Sequence, residues 1–193
     1  MGAPTPGQDP GRRPSGTTTA GRRSFSARLI GAARLDIDTY EEVEADTRAT
    51  PQAALVVCLS AVSLAIGQTN PGLIPVAAAV LREMIGWLVW SGITYLIGAR
   101  MLKGTATWGE LQRTIGFAMG PGFLYALAAI PHLAEPVTYL VGTWKLVASI
   151  VAIRQALDFG TDRALVTAVL GFIAYVSLAY LEALVLGLPL PAG

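Results

Sequence analysis

The chain has 193 residues, of which 53% are hydrophobic and only 14% are charged, whereas soluble domains carry about 25% charged residues. This composition excludes an ordinary soluble domain. Fourteen basic and thirteen acidic residues nearly cancel, so the net charge gives no reason to expect a nucleic acid as partner. One cysteine and one histidine exclude a disulfide framework and leave no ligand set for a metal. No cofactor and no small-molecule substrate is inferred.

The N-terminal quarter of the chain is polar. Residues 1–24 are rich in Gly, Pro, Thr and Arg and predict a disordered basic tail in the cytoplasm. Residues 25–50 predict two short interfacial helices. The first covers 26–34, with the basic edge of Arg28 and Arg34 facing anionic lipid. The second is acidic, and Thr39 and Glu42 predict a capping box at its start.

Acidic side chains dominate this second helix, and no basic residue interrupts them between positions 36 and 46. The six acids are Asp36, Asp38, Glu41, Glu42, Glu44 and Asp46. Such a run is typical of a solvated surface that stays off the bilayer. It is also suited to bind a cytosolic partner protein, and the sequence leaves both interpretations open.

Long apolar stretches occupy the rest of the chain. They predict five transmembrane helices over 51–68, 80–99, 113–131, 136–154 and 164–188, followed by a short tail, 189–193. Each is near the roughly 20 residues that cross a bilayer core. No stretch alternates as a barrel strand does, so the fold class is an all-α membrane bundle. Thr50 is the predicted N-cap of the first span, and Thr107 and Glu110 predict a capping box before the third.

Basic residues occur in every second connection between these spans, beginning with the segment before the first span. Lys and Arg occur before the first span, between the second and third, and between the fourth and fifth. The connections 68–81 and 131–136 and the tail 188–193 contain none. The positive-inside rule then places the N-terminus in the cytoplasm and the C-terminus outside, and it requires an odd number of spans.

Four charged residues fall within the predicted spans: Arg82, Glu83, Lys145 and Glu182. Lys145 lies nine residues from both Pro136 and Arg154, near the middle of the bilayer, where insertion of a lysine costs about 2.5–3.5 kcal/mol.

Helical side chains lean toward the N-terminus of their helix, so Lys145 and Glu182 should converge as an ion pair. Glu83 would be a second acceptor, and Arg82 would compensate the extra charge. The cluster either locks three helices together or forms an outward-facing polar pocket for a lipid headgroup or an ion.

Glycine and proline mark the third span. Gly116 and Gly120 form a GxxxG face, and Pro121 follows at once. This pattern predicts close helix packing and a proline kink rather than a ligand site.

Several short motifs together resemble the bacterial branch of the Yip1 family of five-span membrane proteins. They are Arg113 with Gly116, Phe117 and Ala118, then Pro121, Ile130–Pro131, Gly142–Thr143–Trp144, the run 152–158, Arg163–Ala164 and the acidic Tyr40–Glu41–Glu42. The resemblance covers residues 29 to 188. It implies an integral protein of the bacterial cytoplasmic membrane that forms oligomers, and it offers no catalytic residues.

Three functional hypotheses follow. The first is a non-enzymatic membrane scaffold that associates with itself or presents its N-terminal helices to a partner. The second is an accessory subunit of a larger membrane complex. The third is a small transporter or lipid-binding protein that uses the charge cluster in its outer leaflet.

Overall fold

Helices are the only regular secondary structure in the described part of the chain, which confirms the all-α prediction. The computed structural model describes residues 23–67 and 72–186, apart from the side chains of Leu178, Ala179, Glu182, Ala183, Val185 and Leu186. No strand occurs within these ranges. The predicted basic tail, 1–24, lies almost wholly outside them, and so does the predicted C-terminal tail, 189–193.

Within those ranges the helices are α1 (Phe25–Ala33), α2 (Ile37–Ala45), α3 (Thr50–Gly67), α4 (Leu73–Tyr95), α5 (Trp108–Ala118), α6 (Ala134–Ala156) and α7 (Thr161–Leu186). A 3₁₀ turn (Thr47–Ala49) leads into α3, and a π-helical turn (Leu96–Met101) extends α4. A second 3₁₀ helix, Gly120–Ala129, follows α5 and is called the 3₁₀ segment below.

The first two helices form a compact unit, the N-terminal helix pair (α1 and α2). Leu35 joins them in a left-handed conformation with φ 63°. The buried positions of α1 are Arg28, Gly31 and Ala32, a spacing of three and four residues that defines one helix face. The expectation that Arg28 faces lipid is therefore wrong, since this side chain is only 1% exposed.

Three helical stretches in the described ranges are long and apolar enough to cross a membrane: Thr47–Gly67, Leu73–Met101 and Ala134–Ala156. They correspond to the first, second and fourth predicted spans. The second begins earlier than predicted, because Pro75 stands in the first turn of α4, where proline is tolerated. The fifth predicted span falls on α7, whose 26 residues extend about 39 Å at 1.5 Å per residue.

The third predicted span is divided between two kinds of helix. α5 ends at Ala118, and the 3₁₀ segment continues from Gly120 with Pro121 near its start. This segment packs along α3, with which it makes the most extensive contact in the described fold. Gly122 permits that approach, because a Cβ atom there would lie 1.9 Å from Ser60 Oγ.

Helix starts were predicted with mixed success. The capping box of α5 is confirmed, with Glu110 N donating to Thr107 Oγ1 and Thr107 N donating to the Glu110 carboxylate. The capping box predicted at Thr39 and Glu42 is wrong, because Asp36 is the N-cap of α2. Thr50 does not cap α3 either, since it has helical dihedral angles and continues the preceding 3₁₀ turn.

Candidate functional site

A cavity of about 260 Å³ lies among α4, α6, α7 and the 3₁₀ segment. α4 and α6 make few direct contacts, because α4 packs mainly on α3, α5 and α7, whereas α6 packs mainly on the 3₁₀ segment, α5 and α7. The lining includes two charged and five aromatic side chains: Glu83, Lys145, Trp87, Trp90, Tyr125, Phe172 and Tyr175. Polar and aromatic groups that converge in an otherwise apolar cavity are typical of a binding site.

An ion pair bridges the gap between α4 and α6 inside this cavity. Lys145 Nζ donates to Glu83 Oε1 at 3.2 Å, and the same ammonium lies 5.4 Å from the centre of the Tyr125 ring. This distance permits a cation–π attraction. Lys145 and Glu83 are 16% and 29% exposed, so the pair is partly enclosed and its two charges cancel.

Of the four residues in the predicted charge cluster, the described part of the structure brings Lys145 and Glu83 into contact. Lys145 meets Glu83, which was expected as the second acceptor. Arg82 is exposed and makes no ion pair with the described residues. The side chain of Glu182 lies outside the described residues, so its predicted pairing with Lys145 is not addressed.

The position of Glu83 in α4 explains this partnership. α4 begins at Leu73 rather than near residue 80, so Glu83 lies ten residues into the helix. At 1.5 Å per residue this places it about 15 Å from the start of α4. Lys145 lies eleven residues into α6, at a similar depth, and the long lysine side chain spans the remaining gap.

One polar atom of the cavity wall has no partner. Trp87, Trp108 and Trp144 each donate their indole N–H to an oxygen atom at 2.8–3.2 Å. The indole nitrogen of Trp90 is buried and finds no acceptor among the described residues, and the same is true of the hydroxyl of Thr94, one turn further along α4. Buried donors without an acceptor are rare in folded proteins.

Exposed apolar side chains form part of the rim of the cavity. Leu146 of α6 is 48% exposed and Phe172 of α7 is 53% exposed. Both lie in helices that expose further large apolar side chains, such as Leu140 of α6 and Ile173 of α7, so this part of the rim is apolar.

The six acids of the N-terminal region divide into two groups. Asp36, Glu42 and Asp46 are occupied within the fold. Arg28 donates to Glu42 Oε1 at 2.7 Å, to Asp46 Oδ2 at 2.8 Å and to Gln52 Oε1 of α3 at 3.0 Å. These bonds fasten α1, α2 and α3 to one another.

Arg23 and Thr39 complete the internal group. Arg23 pairs with Asp36 at 2.6 Å, and Thr39 Oγ1 donates to the same carboxylate at 2.8 Å. These hydrogen bonds, that of Arg23 above all, lower the pKa of Asp36.

The remaining acids, Asp38, Glu41 and Glu44, make no ion pair within the described part of the chain. Asp38 and Glu41 are exposed and Glu44 is half-buried. Burial, reinforced by repulsion from Glu110 and Asp158, raises the pKa of Glu44 to about 7, although Arg113 opposes the shift and Glu41 adds to it.

A family model, the Yip1 domain, matches residues 38–181, more than two thirds of the chain. The chain belongs to the Yip1 family. It is a membrane protein of the Yip1 type, as its apolar helices also indicate. No significant match is found among curated proteins or among solved structures.

The two candidate regions are the cavity and the N-terminal helix pair, and the Yip1 domain includes the whole cavity lining but only part of the helix pair. It begins in α2, at Asp38, and it contains both members of the ion pair between Glu83 and Lys145. It leaves out α1, and with it Arg28, the residue that fastens the N-terminal helix pair. Glu182 falls one position beyond its end.

Two buried arginines were missed as structural residues by the sequence reasoning. Arg28 was assigned to a lipid-facing edge, although it recurs with Gly31 and Ala32 on one helix face. Arg113 was noted only as part of a motif. It is 6% exposed and donates to the backbone oxygens of Val43 and Glu44, at the end of α2. The signal for Arg28 was present, because six acids without a base require cations from elsewhere, whereas the backbone acceptors of Arg113 leave no such signal in the sequence.

The glycines of the predicted packing face do approach other helices closely. A Cβ atom on Gly116 would lie 2.7 Å from Ala53 Cβ of α3, and one on Gly120 would lie 2.8 Å from Leu29 Cδ1 of α1. Pro121 is buried at the start of the 3₁₀ segment. Small residues therefore allow α3 and α1 to approach this part of the Yip1 domain.

Proposed function

We propose that this Yip1-family protein is a non-enzymatic membrane scaffold that presents its N-terminal helix pair to a partner protein carrying a basic segment. The observation that carries the proposal is the way Arg28 fastens the pair. A guanidinium that is 1% exposed and shared by two carboxylates and a glutamine holds α1 and α2 in one arrangement on α3. A fixed surface loses little conformational entropy when a partner binds.

The charge of the remaining surface indicates the chemistry of the partner. Asp38 and Glu41 point their carboxylates into solvent, and Glu44 lies within the field of Glu110 and Asp158. Lys or Arg side chains of a partner would relieve this repulsion. Complementary charge of this kind mainly accelerates encounter and selects the partner.

The test uses exposed acids that the fold does not need. The double variant Asp38→Asn, Glu41→Gln should lose a protein that co-purifies in fixed stoichiometry under mild detergent. The matched control Glu135→Gln removes an exposed acid from the first turn of α6 and should keep that protein. Native mass spectrometry measures the stoichiometry. Salt should weaken the association, because the screening length falls from about 10 Å at 0.1 M to about 3 Å at 1 M.

The same measurement separates the alternatives. A second copy of the chain in fixed stoichiometry, lost in the double variant, would make the partner the chain itself. Several different subunits that persist in the double variant would contradict docking through these acids and would favour an accessory subunit of a larger complex.

We also propose five spans, with the N-terminus in the cytoplasm and the C-terminus outside. The alternation of basic residues between the connections supports this orientation. In a Cys58→Ala background, Glu41→Cys and Glu135→Cys place single thiols on exposed residues of α2 and α6. An impermeant maleimide added to intact cells should label Glu135→Cys only, and it should reach Glu41→Cys after permeabilisation. Labelling of both positions in intact cells would contradict the orientation.

A further inference from the structure

We propose that the cavity among α4, α6, α7 and the 3₁₀ segment binds the headgroup of a zwitterionic phospholipid. The phosphate would accept hydrogen bonds from Lys145 and Trp90, and the ammonium group would lie against Glu83 and the surrounding aromatic rings. This inference does not depend on the partner-docking role, because neither Asp38 nor Glu41 lines the cavity.

The charge of the site selects the class of headgroup. Lys145 and Glu83 already neutralise each other at 3.2 Å, so a ligand with a net negative charge would have to leave Glu83 without a partner. A zwitterion satisfies both residues at once, since its phosphate replaces the carboxylate beside Lys145 and its ammonium replaces the lysine beside Glu83. Each charge therefore has an opposite partner both before and after the headgroup binds, as a partly enclosed site requires.

The aromatic lining fits the cationic half of such a headgroup. Tyr125 already holds an ammonium, that of Lys145, at 5.4 Å from its ring centre, and Trp87, Trp90 and Tyr175 also line the cavity. Aromatic faces attract ammonium groups, and tryptophan does so most strongly. The aromatic rings that line the cavity would therefore stabilise the ammonium group of a headgroup after it has left bulk water.

The unpaired indole of Trp90 fits the anionic half. Its N–H is buried beside Gly171 of α7 and has no acceptor among the described residues, and a phosphate or ester oxygen would supply one after a small shift of the indole or of α7. A buried donor without an acceptor carries a desolvation penalty, which a bound oxygen removes.

The size and rim of the cavity point to a lipid rather than to a free solute. A volume of 260 Å³ corresponds to about nine water molecules at roughly 30 Å³ each, which is enough for a headgroup but not for acyl chains. The exposed apolar side chains at the rim, Leu146 and Phe172, continue along α7 as Val169 and Ile173. Acyl chains would lie along this face while the headgroup occupies the cavity.

The experiment titrates the delipidated full-length protein with dioleoyl phosphatidylethanolamine, dioleoyl phosphatidylglycerol or free phosphoethanolamine, and it measures bound lipid by native mass spectrometry. Phosphatidylethanolamine should bind at least about tenfold more tightly than phosphatidylglycerol, the scale of one charge-assisted hydrogen bond. Free phosphoethanolamine should compete poorly. Equal affinities for the two lipids would overturn the proposal, and competition by the free headgroup at comparable concentration would overturn its assignment to a lipid.

Variants assign the binding to this cavity. Lys145→Met combined with Glu83→Gln removes both charges together, leaves neither unpaired and should abolish the preference for phosphatidylethanolamine. Trp90→Phe removes the indole N–H while keeping an aromatic ring, and it should weaken binding severalfold. The control Arg82→Gln removes an exposed cation next to Glu83 and should change nothing. A preference that survives in both the double variant and Trp90→Phe would overturn the proposal.

Discussion

Replacing Arg28 by methionine should release the N-terminal helix pair from the membrane bundle. The arginine is 1% exposed and donates to Glu42, Asp46 and Gln52. Removing one partner of a buried ion pair typically costs about 3–5 kcal/mol. Glu42 and Asp46 remain 24% and 16% exposed, and Glu42 also contacts Arg23. The lower end of that range, about 3 kcal/mol, is therefore expected.

Hydrogen exchange of peptides covering 25–45, measured by mass spectrometry in nanodiscs, reports the local opening free energy. A loss of about 3 kcal/mol should accelerate exchange there by about a hundredfold, while peptides of α6 change little. Arg28→Lys should fall between, since an ammonium cannot reproduce the planar fork of a guanidinium. Arg34→Met changes an exposed arginine of the same region and should stay within about 0.5 kcal/mol. Equal exchange in Arg28→Met and Arg34→Met would refute the role given to the buried guanidinium.

Three further predictions concern stability. Because the pKa of Glu44 rises from 4.5 to about 7 on folding, the folded state retains a proton that the unfolded state has lost, so the unfolding free energy should fall between pH 4.5 and 7. Glu44→Gln should flatten that dependence by about 1 kcal/mol, after allowance for the half-exposed side chain, as measured by chemical unfolding at several pH values. Gly116→Ala should destabilise the bundle by about 1–3 kcal/mol through overpacking, and adding Ala53→Gly should restore its thermal midpoint; failure of that rescue would contradict the predicted contact. Thr107→Ala should cost about 1 kcal/mol, seen as faster exchange at the start of α5.

Features decided by neighbouring residues were predictable from the sequence. The capping box at Thr107 and Glu110 needs only a spacing of three residues, and the structure has it. The capping box at Thr39 and Glu42 has the same spacing and failed. Glu42 is taken by arginines 14 and 19 residues away, and Asp36 caps the helix instead. Local patterns predict a cap only where no distant charge competes for it.

Pairing across the bundle was harder to predict, because it depends on where each helix begins. The direction of the Lys145 side chain favoured Glu182, whose side chain lies outside the described residues, and Glu83 was expected only as a second acceptor near the start of its helix. α4 starts at Leu73 instead, and this shift of about two turns brings Glu83 to the level of Lys145. The cavity beside the pair arises from the spacing of four elements, and no motif in the sequence encodes it.

The two candidate regions are connected through one face of α6. Trp144 donates its indole N–H to Ala33 O, the last residue of α1, at 2.8 Å. The Tyr40 hydroxyl donates to Ala32 O at 3.0 Å and lies 3.4 Å from Ala148 O. These contacts flank Lys145 on either side along the helix. Lys145 therefore lies at the level of α6 that contacts the N-terminal helix pair, and a headgroup bound beside it would lie close to that pair.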